Sequence, residues 1–311
     1  MIKVSYAGIC GTDINIYNGG YRTIPPMIIG HEFSGEIVEI KSKCESSFKI
    51  GDKVVARPIL NCGKCYACKN GYYNVCQNLK MIGIDFPGAF AEYVKVPLDI
   101  LYKIPDDIDL KTAALIEPLA VAVHAVRASS LKVGDYVAIF GAGSIGMLIG
   151  LVAKISGAGA VFIADINDFR VKQANSLGLN SVNTDNIDFL QYLNIETSGR
   201  MADIVFDTAG VSATAKILTD AARIRGQIVI IGVFSKPPAM NLFSVLFKEQ
   251  NIIGTRVYMD YDYIKSLILL KNYPEIKNII SKTIPIKDIK RGIEAVRSGK
   301  GVIKVLVDLK L

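Results

Sequence analysis

The stretch VAIFGAGSIG, residues 137–146, limits the folds open to this chain more than any other segment. An apolar run ends in three glycines, Gly141, Gly143 and Gly146, in G-x-G-x-x-G spacing, where a helix-forming segment begins. The spacing alone is a weak sign. Its setting gives each glycine a physical role, in that the first makes a tight turn, the second lets backbone approach a pyrophosphate, and the third lets strand and helix pack closely. The helix N-terminus then faces the phosphate charge. Ser144 and Ile145 complete the candidate loop, and Arg170 on the next predicted helix is a further cofactor-binding candidate. Asp165 closes the following strand, AVFIAD, nineteen residues after Gly146. A carboxylate there bonds ribose hydroxyls and repels a 2′-phosphate, which favours NAD over NADP.

The texture around this motif is alternating. Strand YVAIF, a helix over 144–156, strand AVFIAD, a helix over 167–177, strand DIVFDT, a helix over 211–222 and strand QIVIIG predict βαβ units in a doubly wound parallel sheet. Up to about residue 105 the chain reads differently: GEIVEI, GDKVVA and GAFAEYVKV are short β-rich runs bounded by Gly and Pro, the pattern of an irregular β domain. Two helices over 261–271 and 287–298 and a strand, GVIKVLVDL, return to that domain. The expected layout is a β domain from 1–118 and 259–311, with an α/β domain inserted at 119–258.

Four of the six cysteines, Cys62, Cys65, Cys68 and Cys76, fall within fifteen residues in C-x2-C-x2-C-x7-C spacing. Four thiolates in one short loop close a tetrahedral structural zinc site without help from distant chain. An iron–sulfur motif would continue with x3-C-P, and this one does not. Cys44, in the polar KSKCESS, reads as an incidental free thiol. Cys10, in CGTDIN, reads in isolation as a small buried hydrophobe. The chain has only two histidines: His31, in GHEFSG beside Glu32, and His124, a packed or surface residue of the predicted helix PLAVAVHAVRAS. Glu117, just before Pro118, also satisfies the rules for an acid in a helix's first turn.

Composition excludes several classes. With 311 residues, half of them apolar, the chain can bury a substantial core in two domains. The excess of seven positive charges is scattered rather than blocked, so no nucleic-acid footprint is expected. The longest uncharged apolar run, Val137 to Ala153, is shorter than the roughly 20 residues a membrane helix needs. The opening MIKVSYAGIC lacks signal-peptide character, which makes the cytoplasm the expected compartment.

GICGTD, GHEFSG, the cysteine lobe, LIEPLAVAVHAV and GAGSIG occur in the order seen in zinc-dependent medium-chain dehydrogenases, and IEPLAVAVHAV is especially similar to the sorbitol and threonine dehydrogenase branch. The resemblance implies a GroES-like catalytic domain with a Rossmann domain and an active site in the cleft between them. It also implies a catalytic zinc on Cys10 and His31, with Glu32 and Glu117 as carboxylate candidates to complete the shell, beside the structural zinc of the lobe. Zinc would act as a Lewis acid on the hydroxyl of a secondary alcohol, from a polyol, sugar alcohol or related small hydroxy compound, and hydride would pass to NAD. Threonine 3-dehydrogenase and butanediol dehydrogenase activities are alternatives, as is a weakly catalytic NAD-binding scaffold. The family resemblance favours a homodimer or homotetramer.

Two departures stand out. In the family, a Ser or Thr two residues after the cysteine passes the released proton to a histidine three residues on; Thr12 fits the first role, but the second position is Asn15, so protons are expected to leave through Thr12, cofactor hydroxyls and water. Relatives also carry roughly one further β-hairpin before the cysteine element, whereas here Met1 is nine residues from Cys10; either the start lies upstream, or the chain lacks strands that normally cover the β domain, in which case an unpaired edge and exposed core are expected. Tyr17, Phe86, Phe90, Arg256 and Tyr258 could line the substrate pocket or be ordinary packing.

Overall fold

The structure, a computed structural model, describes residues 1–41 and 45–310; Cys44 lies outside the described residues. The chain divides into two compact units, one of Met1–Ala120 with Tyr258–Leu311 and one of Val121–Val257.

The first unit is organised by a seven-stranded sheet in the order Ile280–Pro285, Lys304–Asp308, Ile2–Gly8, Glu32–Ile37, Lys53–Ala56 and Leu101–Lys103, with Tyr93–Val94 paired to Ile2–Gly8. Alternation of inward apolar residues makes these strands: Ile2, Val4, Phe33, Ile37, Val54, Ala56, Val305 and Val307 share one core. Each such side chain contributes about 1.5–3 kcal/mol on burial. Lys304–Asp308 runs antiparallel to Ile2–Gly8 and parallel to Ile280–Pro285, which brings the two ends of the chain together. Ile2–Gly8 is flanked by Glu32–Ile37 and Lys304–Asp308, and Ile2, Val4 and Ala7 are buried. Two expectations shift. The strand read as GEIVEI begins earlier, at Glu32, and of GAFAEYVKV only Tyr93–Val94 pairs as a strand.

The second unit is a six-stranded parallel sheet in the order Asn180–Asn183, Ala160–Asp165, Tyr136–Phe140, Ala202–Asp207, Ala222–Ile230 and Asn251–Gly254. The order reverses between Tyr136–Phe140 and Ala202–Asp207, and in sheets of this kind ligands bind outside the carboxyl ends of the strands at such a switch point. The helix expected over 211–222 is two short turns, Ser212–Ala215 and Leu218–Ala221. Thr214 Oγ1 donates to Val211 O (2.9 Å) and also bonds Asp207 Oδ1 (3.1 Å), tying the first turn to the neighbouring strand end. The next strand already begins at Ala222, and Asn180–Asn183, Phe189–Glu196, Leu242–Phe247 and Asn251–Gly254 are elements that periodicity did not mark. Among the described residues no helix is long and apolar enough to cross a membrane.

Candidate functional site

Cys10 is the N-cap of the helix Gly11–Tyr17, with extended backbone at φ −102° and ψ 158°. Its Sγ accepts from the Thr12 N–H (3.5 Å), and Asp13 Oδ2 accepts from the Cys10 N–H (2.8 Å). This reciprocal capping box, with sulfur in place of a hydroxyl, fixes the cysteine before anything binds it. His31 and Glu32 lie where the neighbouring strand Glu32–Ile37 starts. One ligand atom each from Cys10, His31 and Glu32 fall within 4.8 Å of one another.

Three residues whose part at this centre no sequence motif marks complete it. Asp13, fully buried, places Oδ1 3.5 Å from His31 Nδ1, which leaves Nε2 as the imidazole atom for a cation. Burial alone would lower the His31 pKa, but the charges of Asp13 and Cys10 carry it well above the ordinary range. Lys304 pairs its ammonium with Glu32 Oε2 and donates to the Ile9 carbonyl (3.2 Å). Gly8 has no side chain to spare here, since a β-carbon would overlap the Glu32 carboxylate. The third residue is Tyr258, whose hydroxyl donates to Glu117 Oε1 (2.8 Å).

Glu117 stands outside the three-residue ligand group. Burial pushes its carboxyl up to about 7, against the opposing charge of His31 and with the reinforcing charge of Glu32. Thr12 is half-buried and Asn15 is exposed. Of the pocket candidates, Tyr17 and Phe86 are exposed, Phe90 packs against Gly30, and Arg256 belongs to the second unit. His124 is half-buried on the helix Ile116–Ala128 and belongs to neither metal-ligating cluster.

The cysteine lobe is a separate cluster. Sγ–Sγ separations are 3.5 Å for Cys65–Cys68, 3.8 Å for Cys65–Cys76 and 4.0 Å for Cys62–Cys68. Tetrahedral coordination at the usual zinc–sulfur distance of about 2.3 Å requires about 3.8 Å between sulfurs, whereas a disulfide would need about 2 Å. The four thiols fit a zinc ion. The Cys62 N–H donates to Cys76 Sγ (3.3 Å), and the amides of Asn61 and Asn78 reach Cys68 and Cys62. Backbone N–H groups of Lys64 and Cys65 pull the Cys62 thiol down to about 6, while burial pushes Cys76 up to about 11.

In the second unit the glycine loop has the geometry its spacing demands. Gly141 adopts φ +102°, and a β-carbon at Gly146 would overlap the Gly141 carbonyl. A β-carbon at Gly143 would meet nothing within 4 Å, so open space lies over the start of the helix Ser144–Ile155 for a phosphate to approach. Asp165 accepts from the Ala142 N–H (2.7 Å) and the Asn167 N–H (2.9 Å), with Arg170 Nη1 3.8 Å away. Its carboxylate therefore braces the loop itself, a role that the spacing of the motif does not reveal.

Sulfur, imidazole nitrogen and carboxylate oxygen form a donor set suited to zinc, and Cys10, His31 and Glu32 supply one of each. Comparison with known proteins agrees. Residues 1–106 match the alcohol dehydrogenase GroES-like domain, and residues 144–272 match the zinc-binding dehydrogenase family. The chain is 40% identical to a 2-dehydro-3-deoxy-L-galactonate 5-dehydrogenase of Pseudoalteromonas atlantica, over 99% of this chain and 90% of that one. It is 35% identical to a sorbitol dehydrogenase of Halalkalibacterium halodurans, over 98% and 90%. The crystal structure of 2R,3R-butanediol dehydrogenase from Bacillus subtilis superimposes with a TM-score of 0.90 at 32% identity, covering 99% of this chain and 91% of that one.

Proposed function

The chain belongs to the zinc-dependent medium-chain dehydrogenase family, in its sorbitol and threonine dehydrogenase-like branch, and from that premise we propose that it oxidises a secondary alcohol of a polyhydroxy compound with NAD. The alditol and sugar-acid derivatives for which two curated relatives are named define the substrate class to test first.

One observation carries the reading. Cys10, His31 and Glu32, from a helix cap and the start of a strand, bring three different donor types within 4.8 Å, and the buried Asp13 carboxylate lies 3.5 Å from His31 Nδ1. Zinc held by these three residues would supply Lewis acidity toward an alcohol oxygen, and bound NAD would supply the hydride acceptor. Everything else falls to the chain. The capping box holds the Cys10 sulfur in place, Asp13 sets the His31 tautomer, and Lys304 steadies Glu32. Thr12, at the start of the helix, relays the released proton onward through cofactor hydroxyls and water to solvent; Asn15, exposed one turn on, has no proton to exchange near neutral pH. Gly141, Gly143, Ser144, Ile145 and Gly146 cradle the pyrophosphate, and Asp165 with Arg170 flanks the ribose. The lobe of Cys62, Cys65, Cys68 and Cys76 would hold a second, structural zinc.

A homodimer or homotetramer is part of this reading. Asn251–Gly254 is a terminal strand of its sheet, and Leu242, Phe243, Leu246 and Phe247 on the helix preceding it are 67–73% exposed. An apolar sheet edge of this kind favours pairing with a second copy.

The test is NAD reduction with alditols, sugar acids, threonine and diols. Turnover confined to one polyhydroxy class, abolished by Cys10→Ala, is the expected result. No turnover with any secondary alcohol, in protein that still binds NAD, favours a binding protein instead.

A further inference from the structure

The hydrogen bond from Tyr258 to Glu117 joins residues 141 positions apart and is wholly buried. The residue before the tyrosine, Val257, has φ +44°, a left-handed backbone that a β-branched residue adopts only under strain. Strain of this kind persists where neighbouring contacts over-determine it, and it gathers at functional sites. Here the contacts are visible. Immediately after the tyrosine, Met259 N–H donates to Asp262 Oδ2 (2.9 Å) at the start of the helix Asp260–Asn272, and the ring of Tyr263 lies 5.6 Å from that of Tyr258. A forced turn on one side and a capped helix on the other pin the phenol between them.

We propose that Tyr258 is a positioning residue: its hydroxyl occupies Oε1 of Glu117 and so turns the other oxygen, Oε2, toward the metal centre of Cys10, His31 and Glu32, with the left-handed turn at Val257 aiming the hydroxyl. The proposal rests on reading that centre as a zinc site. Tyr258 is fully buried and acts through Glu117 alone. Without the hydroxyl the carboxylate is free to rotate, and its hold on the cation, or on water beside it, is shared among orientations.

Tyr263 is the built-in control. It is equally buried, packs its ring at a tilt against Tyr258 and spends its hydroxyl on the Ala56 carbonyl (2.7 Å), a purely structural bond. The experiment compares holoenzyme of wild type, Tyr258→Phe, Glu117→Gln, the double variant and Tyr263→Phe. Four quantities are measured: kcat, KM for NAD, zinc content, and the rate at which a chromogenic chelator removes the more labile zinc. Losing one hydrogen bond to a charged acceptor is expected to lower kcat about tenfold in Tyr258→Phe and to speed zinc release by a similar factor, with KM for NAD unchanged. In the Glu117→Gln background the same change adds nothing further. Tyr263→Phe lowers the melting temperature but leaves kcat and zinc release alone. Should Tyr258→Phe not fold, Val257→Gly keeps the hydroxyl and frees the turn, and it is expected to speed release by a smaller factor. Wild-type zinc release in Tyr258→Phe, or in Val257→Gly should Tyr258→Phe not fold, or Tyr258→Phe effects that add in full to those of Glu117→Gln, overturns the proposal. Two zincs per chain with additive effects overturns it alone; one zinc per wild-type chain overturns the underlying metal reading as well.

Discussion

Asp13→Asn separates the metal's immediate ligands from the residue that aims them. The aspartate serves two partners at once: Oδ2 accepts from the Cys10 N–H at 2.8 Å, and Oδ1 faces His31 Nδ1 at 3.5 Å. An amide of the same shape has one acceptor and one donor end. If its oxygen keeps the Cys10 N–H, its NH2 faces His31, and the imidazole must hold its proton on Nε2, the atom needed for the metal. If the amide flips, donor meets donor at the helix cap. Either way one contact to a charged acceptor is lost, about 1.5–3 kcal/mol in a buried site. At about 1.4 kcal/mol per factor of ten, zinc at this centre should bind about 10–100-fold more weakly. That matches the usual size of a change in the groups supporting a metal-bound histidine. Competition with a chromogenic chelator reads the effect directly, because the four-cysteine zinc serves as an internal reference. Both zincs held as tightly as in wild type would refute the assignment of Asp13.

Further outcomes follow from other parts of the chain. Cys65→Ser should remove one zinc and expose residues 62–76 to proteolysis while zinc at Cys10 and His31 is retained; metal analysis and mapping of the cleavage sites check both. Asp203 is buried, and although burial pushes its carboxyl up, the Tyr136 N–H and the guanidinium groups of Arg223 and Arg200 hold it below the ordinary range. Its contribution is therefore present above the unfolded-state value near pH 4 and lost as pH falls through the lower folded value. Asp203→Asn should lower stability by about 1–3 kcal/mol at pH 7 and flatten the acid limb of the stability curve, measured by denaturant unfolding between pH 2 and 7. Asn15→His should make the fall of kcat toward acid pH shallower by restoring a group that can take the proton, and an unchanged profile contradicts proton exit through Thr12 and water.

What could be read from the sequence and what could not divide along physical lines. Local patterns transferred well: the strand–glycine–helix unit at 136–155 and the cysteine lobe are each contained in about twenty residues, so spacing alone constrains their geometry. The strands YVAIF and AVFIAD fall where their apolar runs place them. Short polar elements such as Asn180–Asn183 carry too little pattern to be seen, and the break at 216–217 that divides the 211–222 segment into two short turns is not encoded in its periodicity. Supporting residues of the metal centre were missed for a different reason. Asp13 was within reach, since it stands three residues after Cys10, the spacing of a capping box. Lys304 had a signal too: a lone cation at an inward position of the apolar strand GVIKVLVDL demands a buried partner. Which partner it finds is decided by the pairing of Lys304–Asp308 with Ile2–Gly8, a contact almost the full length of the chain apart. Tyr258 and Glu117 are likewise joined only by the fold.

Counting metal ions in the purified, active protein tests the central claim most directly. Elemental analysis of wild type and of Cys10→Ala is expected to give about two zinc ions per chain and about one, with the residual ion lost only when the cysteine lobe is also disrupted. One zinc per chain in fully active wild type, or two retained in Cys10→Ala, would contradict a catalytic zinc held by Cys10, His31 and a glutamate.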